Sequence, residues 1–151
     1  MVLPKPARPV SFAGLMTLYE SNYVRLNWLL PQLPNAHTCL VSTTNDDAPL
    51  YLRVDEVCRY TTTMTLTYLF RDPDGLVADP DLRVRVYHDA MMVEAMGCTE
   101  RHRHQLLQGF RTGHGSELVQ RWQRNMMLNK WLEYCADHGH QFAHLYPEPA
   151  S

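Results

Sequence analysis

A histidine, an aspartate, a glutamate and an arginine occur close together in the segment RVYHDAMMVE, residues 85–94. An imidazole oriented by a carboxylate can act as a general base, so His88 with Asp89 or Glu94 is a candidate catalytic group. A hydrolase or transferase of this kind would bind an anionic small molecule through the neighbouring arginines. Adjacent residues on a strand point to opposite faces, however, and no evident Ser or Cys nucleophile accompanies them. A structural role in a turn is therefore the favoured interpretation of His88 and Asp89.

Strand alternation explains the same segment as a β-hairpin. Apolar and polar residues alternate on both sides of Asp89 and Ala90, but the apolar positions change phase there. A change of phase requires a turn or a bulge, because a shift of one residue moves every side chain across the sheet. A two-residue loop at Asp89 and Ala90 places Arg85 opposite Glu94. Asp-Ala is a poor dipeptide for such a turn, so a longer loop or a continuous bulged strand remains an alternative.

Two helices are predicted to flank the strands. Apolar residues spaced three and four apart predict a first helix over about residues 11–30, with Ser11 as its N-cap. A last helix is predicted over about 117–137, where Ser116 suits the N-cap and Gly139 the C-terminal cap. Both helices are amphipathic, so each needs an apolar surface to cover.

Five strands are predicted between the helices, from period-two alternation and β-branched residues. They span about 37–44, 49–57, 60–70, 82–88 and 91–98. Residues 72–81 are predicted as an acidic, turn-rich loop, and residues 100–115 as either a sixth strand with a loop or a short helix. An antiparallel sheet can leave one face in water while helices cover the other. We therefore predict an α+β fold: an N-terminal helix, a β-meander and a C-terminal helix, with the helices packed on one sheet face.

The sheet face that points away from the helices is predicted to carry polar and aromatic side chains. It includes Tyr51, Arg53, Asp55, the threonines at 61, 63, 65 and 67, Arg83, Arg85, Tyr87 and Glu94. Arginine offers a fork of donors to carboxylate or phosphate, which suits an anionic or planar ligand. The candidate ligand-binding residues are Arg59, Tyr60, Arg83, Arg85 and Tyr87. A solvated sheet face is the simpler interpretation, because strands favour threonine in any case.

Neither a metal nor a cofactor is predicted. The pairs His102 with His104 and His138 with His140 have the H-x-H spacing, but zinc needs three or four converging ligands. The run DPDG, residues 72–75, begins like a calcium loop, yet its glycine comes too early and no glutamate stands at the twelfth position. A plain turn is the favoured interpretation of that run.

Composition indicates one ordinary globular domain. Hydrophobic residues make up 45% of the 151 residues, charged residues make up 20%, and the formal net charge is -2. Residues 1–10 contain three prolines and are predicted as a flexible arm, with a single domain over 11–147. The weak charge disfavours nucleic acid as a partner. No apolar run is long enough to span a membrane, and four scattered cysteines predict reduced thiols in a cytoplasmic protein.

Several short motifs occur in a recognisable order. They are LYESNY at 18–23, RYTT at 59–62, VRVYHDA at 84–90 and WLxYC at 131–135. Their order and combination resemble the YqiB-like family of bacterial proteins of unknown function, over about residues 15–147. The resemblance implies a cytoplasmic bacterial protein, and it implies no activity because the function of that family is unassigned.

The leading hypothesis is a small non-enzymatic binding or adaptor protein. The sequence predicts every element of a folded domain but contains no complete set of catalytic residues. Its ligand, a small anion or a protein partner, would lie on the polar sheet face or between the sheet and helix 117–137. The alternative is the enzyme that uses His88. A concave pocket shared by His88, Arg85, Glu94 and Arg59 would favour the enzyme. The sequence leaves both classes open, as it does a monomer or a homodimer.

Overall fold

The computed structural model describes residues 11–97, 107 and 115–142. The elements are α1 (Phe12–Leu29), β1 (Cys39–Ser42), β2 (Leu50–Val57), β3 (Thr61–Asp72), β4 (Gly75–Tyr87), β5 (Met92–Gly97) and α2 (Glu117–Asp137). The strands lie in chain order, and each pairs antiparallel with the next. This confirms the predicted α+β fold and its meander. The predicted arm at 1–10, the whole of 100–115 except residues 107 and 115, and the domain end at 147 lie outside the described residues.

The helix ends form as their capping residues predict. The Ser11 hydroxyl accepts a hydrogen bond from the Gly14 N–H at 3.0 Å. The Ser116 hydroxyl accepts one from the Val119 N–H at 3.3 Å. Gly139 follows α2 with φ of +88°, in the left-handed region that glycine adopts without steric cost. Local sequence therefore determines where both helices begin.

The prediction of a loop over residues 72–81 is wrong. β3 and β4 continue to a tight hairpin turn at residues 73–74, so residues 75–81 belong to a strand. Asp72 accepts a hydrogen bond from the Asp74 N–H at 2.7 Å, and Gly75 has φ of +125°. The acidic, proline-containing sequence predicted a loop because proline has no N–H to donate to the hydrogen bonds between strands. The sheet accommodates Pro80 at a register irregularity, where the pairing shifts between Thr67 and Leu69.

The core lies between one face of the sheet and the two helices. Its buried residues include Leu26, Leu29, Leu52, Val54, Met64, Leu66, Leu82, Val84, Val86, Val93, Met127, Leu128, Trp131 and Leu132. Alternate positions of β2 and β4 are buried, as expected for a sheet that is covered on one face. The indole of Trp131 packs edge-on against the ring of Tyr68 at 4.7 Å between centroids. Helices and sheet are thus joined by one continuous apolar layer.

Asparagine side chains join the helices to β5, the edge strand of the sheet. Asn22 of α1 donates to the Val93 carbonyl at 3.2 Å, and the Ala95 N–H donates to Asn125 of α2 at 2.7 Å. Asn22 also donates to Asn125 at 3.2 Å and accepts from Asn129 at 3.1 Å. Edge strands present backbone groups that need partners when they are buried. The asparagines supply those partners and fix both helices against the β4–β5 hairpin.

The β4–β5 hairpin has the predicted register, with Arg85 opposite Glu94. Strand pairing ends where Tyr87 faces Met92, and residues 88–91 form the turn. The Met91 N–H donates to the His88 carbonyl at 3.3 Å, and Met91 has φ of +53°. A left-handed residue after a turn is the usual way to fit a slightly longer hairpin loop. The change of hydrophobic phase seen in the sequence therefore marks a turn and not a bulged continuous strand.

Candidate functional site

A cleft of about 550 Å³ lies between the first turns of α1 and α2 and the β4–β5 hairpin. We name it the helix-start cleft. Its apolar lining consists of Phe12, Leu15, Met16, Ala90, Met92 and Leu118. Its polar lining consists of Tyr19, Tyr87, Glu94, Glu117 and Arg121. A concave, mostly apolar surface with a few converging polar groups is typical of small-molecule sites.

Tyr87 and Glu94 form the polar contact on the hairpin side of the cleft. They are diagonal neighbours on adjacent strands, since Tyr87 pairs with Met92 and Arg85 with Glu94. The Tyr87 hydroxyl donates a short hydrogen bond to Glu94 Oε1. Burial and this carboxylate raise the pKa of Tyr87, so its hydroxyl remains a donor at neutral pH. One oxygen of Glu94 is thereby engaged and its direction is fixed.

Tyr19 brings a second hydroxyl to the same carboxylate from α1. Only 5% of the residue is exposed. Its hydroxyl makes no hydrogen bond of standard geometry within the described residues. Burial first, and then Glu94, raise the pKa of Tyr19 to about 12. The cleft therefore contains a buried hydroxyl that stays protonated at neutral pH and lies close to Glu94.

Arg121 and Glu117 lie at the α2 side of the cleft. Arg121 Nη2 is 2.7 Å from Glu117 Oε1 across one helical turn, and both side chains are substantially exposed. The pair keeps the guanidinium at the mouth of the cleft. Among the described residues, no ion pair involves Glu94. Within the described part of the lining, the two carboxylates and one guanidinium sum to a formal charge of one negative unit.

The predicted ligand-binding residues divide between the cleft and other surfaces. Tyr87 lines the cleft, whereas Arg83 and Arg85 lie on the polar sheet face, where Arg85 Nε donates to Thr63 at 3.3 Å. Arg59 lies over the ring of Tyr60 at 5.3 Å from its centroid. Tyr60 precedes β3 and is 55% exposed. The structure brings Tyr87 together with Glu94 and leaves the three arginines outside the cleft.

On the polar sheet face, Arg53 and Asp55 form an ion pair with each other. Arg53 Nε lies 2.7 Å from Asp55, and Thr65 also donates to Asp55 at 2.7 Å. Burial opposes ionisation of Asp55, but the hydrogen bonds from Thr65 and Arg53 outweigh it and lower the pKa of that carboxyl. A depression of about 260 Å³ adjoins Arg53 and Tyr51. The depression on this face is thus smaller than the helix-start cleft, and the arginine beside it is already paired with a carboxylate.

His88 and Asp89 do not meet in a catalytic arrangement. His88 Nε2 lies 3.0 Å from the hydroxyl of Thr62, and the His88 N–H donates to the Tyr60 carbonyl at 3.0 Å. Thr62 is buried, Asp89 is exposed, and neither His88 nor Asp89 is among the residues that line the cleft. The contacts of His88 hold the end of the hairpin against the start of β3.

A buried chain of hydrogen-bonded polar side chains was not predicted from the sequence. Ser42 Oγ is 3.0 Å from His140 Nδ1, and His140 Nε2 is 2.9 Å from Asp47 Oδ2. The hydroxyls of Tyr68 and Tyr134 donate to the other oxygen of Asp47. Burial and Asp47 raise the pKa of both tyrosines. The link spans 93 positions between Asp47 and His140, so no local pattern could have revealed it.

This Ser42–His140–Asp47 chain has the residue types of a hydrolytic triad but lacks its access. Ser42 and His140 are each 2% exposed, and the Ser42 hydroxyl also accepts from the Gln141 N–H at 3.0 Å. A nucleophile needs to reach its substrate, so the arrangement is structural. It ties the segment after α2 to β1 and to the β1–β2 loop.

The two H-x-H pairs have different outcomes. His140 is buried, whereas His138 is exposed and packs on the ring of Tyr134 at 3.8 Å between centroids. His102 and His104 lie outside the described residues. In the ranges 11–97, 107 and 115–142, no three His, Cys, Asp or Glu side chains are grouped so as to hold a metal ion. Neither of the helices in these ranges has both the length and the apolar composition needed to cross a membrane.

Comparison with known proteins identifies relatives but no activity. Residues 25–141 match the family model described as "Protein of unknown function (DUF1249)". The chain is 30% identical over 128 residues to "Uncharacterized protein YqiB" of Escherichia coli strain K12, covering 85% of this chain and 90% of that protein. The proteins of the same name from strains O6:H1 and O157:H7 match equally. No solved structure matches. The resemblance to the YqiB-like family is thus confirmed.

Proposed function

The chain belongs to the family of proteins of unknown function designated DUF1249, and we propose that it is a small, non-enzymatic ligand-binding protein of the bacterial cytoplasm. The ligand binds in the helix-start cleft. The cytoplasmic location is proposed from the four scattered cysteines, which are typical of chains in reducing compartments.

The observation that carries the proposal is the combination of shape and chemistry in the cleft. It has a volume of about 550 Å³, within the range of small-molecule sites. Its walls are apolar, and two tyrosine hydroxyls converge on the Glu94 carboxylate. Rigid elements hold these groups, because the asparagines that pair with β5 fix both helices against the hairpin. Such preorganisation favours binding, since little freedom is lost when a ligand enters.

His88 is not among the residues that line the cleft, which favours a binding protein over the alternative hydrolase or transferase. A general base must come within hydrogen-bonding reach of a substrate proton. His88 instead contacts Thr62 on the other side of the hairpin end, and Arg59 and Arg85 are likewise not among the cleft residues. The polar sheet face, with Arg83 and Arg85, is the second proposed location for an anionic ligand.

An adaptor role is the second candidate function, favoured by the outer surface of α1. Val24 is 50% exposed, Trp28 47% and Met91 59%, and they border a groove of about 530 Å³. Clustered exposed apolar side chains are typical of protein-contact surfaces. This groove lies beside the hairpin turn, and among the described residues its lining shares only Ala90 with that of the helix-start cleft.

Binding of Nile red, a neutral and apolar dye that brightens outside water, tests the proposed function. We expect the protein to enhance its fluorescence, and Met92→Trp to weaken binding about tenfold or more because the larger side chain fills the cleft. The matched control is Leu76→Trp at the β3–β4 hairpin, where the side chain is 68% exposed. That control retains binding.

Two results would contradict the proposed site. Unchanged dye binding by Met92→Trp, together with loss in Trp28→Ala, would place the apolar site in the α1 groove and favour the adaptor role. No dye binding by the unmodified protein would contradict the binding of an apolar ligand in the cleft. Circular dichroism of each variant establishes that the fold is retained.

A further inference from the structure

We infer that the ligand of the helix-start cleft is a protonated amine with an apolar body, such as an alkylammonium ion. This inference rests on the proposed function, and it assigns the charge and the orientation of the ligand. The ammonium group contacts Glu94, and the apolar body lies along Leu15, Met92 and Leu118.

The Glu94 carboxylate sets the charge. An ionised carboxylate accepts hydrogen bonds and cannot donate them. Tyr87 satisfies only Oε1, and among the described residues no lysine, arginine or histidine forms an ion pair with Glu94. A carboxylate in a partly apolar site is stabilised by a cationic donor. An ammonium group supplies three donors, one of which can engage the second oxygen of Glu94.

Tyr19 and Tyr87 complete the recognition of a cation. Only 5% of Tyr19 is exposed, and its hydroxyl makes no hydrogen bond of standard geometry in the described part of the chain. That oxygen can accept a hydrogen bond from an ammonium group that lies against Glu94. The two phenol rings also line the cleft, and aromatic faces attract cations.

Arg121 does not reverse this preference. Its guanidinium is paired with Glu117 at 2.7 Å and has 47% of its side chain exposed. Glu117 already offsets the charge of Arg121, and an anionic ligand at Arg121 would approach Glu94, which has the same sign as the ligand. Among the described residues of the lining, Glu94 and Glu117 outnumber Arg121, so their formal charges sum to one negative unit. The apolar walls then select an amine that carries a hydrocarbon body over a small inorganic cation.

Three six-carbon probes that differ only in the head group test the inference: hexylammonium, hexanol and hexanoate. Each is titrated into the isotopically labelled protein at pH 7, and the amide signals of Met92 and Glu94 are followed by NMR. We expect hexylammonium to bind at least about tenfold more tightly than hexanol, and hexanoate to bind most weakly. Glu94→Gln abolishes the preference for hexylammonium over hexanol, while Glu56→Gln, an exposed change on β2, retains it.

The outcomes separate the charge assignment from the site itself. Equal binding of hexylammonium and hexanol, or tighter binding of hexanoate, overturns the amine assignment and leaves the cleft as a site for another ligand. If no probe shifts the cleft signals and Nile red does not bind, the proposed function falls as well. A preference for hexylammonium that survives Glu94→Gln also overturns the inference, since another group would then recognise the cation.

Discussion

Ionisation of the Tyr19 hydroxyl is unfavourable in the folded protein, because it is buried beside Glu94. These two influences raise its pKa to about 12, whereas a tyrosine in an unfolded chain ionises near pH 10. Between these values the folded state binds the proton more tightly than the unfolded state does. The stabilisation is therefore fully present below about pH 10 and is lost as the pH rises towards about 12.

Tyr19→Phe tests this at the scale of one residue. We expect the free energy of unfolding to fall less steeply between about pH 10 and 12 in the variant than in the unmodified protein, by up to one bound proton. Urea unfolding at several pH values measures the slope. Tyr68, Tyr87 and Tyr134 also have raised pKa values, so the difference between the two proteins is the informative quantity.

Tyr51→Phe is the matched control for that experiment, because Tyr51 is 41% exposed on the polar sheet face. Its slope should equal that of the unmodified protein. A Tyr19→Phe slope equal to both would show that the Tyr19 hydroxyl is not held in a buried, carboxylate-facing position.

At the scale of elements, Asn125 determines how the helices meet the sheet. It is fully buried in α2, where it accepts from the Ala95 N–H at 2.7 Å and donates to the Arg121 carbonyl at 2.8 Å. The sequence places this polar residue among the apolar positions of α2. The structure gives its reason, because the edge strand needs a partner that an apolar residue cannot supply.

Asn125→Ala should lower the free energy of unfolding by about 1–3 kcal/mol, because a buried N–H loses its acceptor. Asn27→Ala is the control, since Asn27 is exposed on α1 and should change stability by no more than about 0.5 kcal/mol. Urea denaturation compares the two. Equal effects would mean that the buried network adds nothing to the contact between α2 and β5.

At the scale of the whole molecule, Asp47 joins distant parts of the chain. It lies in the β1–β2 loop and accepts hydrogen bonds from His140, Tyr68 and Tyr134, and 5% of its side chain is exposed. The contact fastens the segment after α2 to the opposite edge of the sheet from β5. Two polar networks, one at each edge, thus hold the helices across the sheet.

Asp47→Ala should therefore lower the free energy of unfolding by about 3 kcal/mol, because several buried donors lose one acceptor at once. Asp46→Ala, the exposed neighbour, should have little effect. Thermal and urea unfolding measure both. If the Asp47 variant is as stable as the Asp46 variant, the buried chain is not a structural fastening.

The sequence by itself determined the parts of this protein that depend on local spacing. Capping residues defined the helix starts, alternation defined the meander, and the change of phase at Asp89 and Ala90 placed Arg85 opposite Glu94. The error at 72–81 has the same local origin, since a bulge accepts a proline that a regular ladder would exclude.

Only the tertiary structure decided which polar groups meet. Tyr19 approaches Glu94 because α1 packs against β5, and Asp47 meets His140 because the chain after α2 returns to β1. Neither contact follows from a period of two or of 3.6, which orders neighbours along one element. The packing of the helices on the sheet joins residues that are far apart in the chain, and it forms the cleft beside the β4–β5 hairpin. His88 and Asp89, a candidate catalytic pair in the sequence, lie at the end of that hairpin.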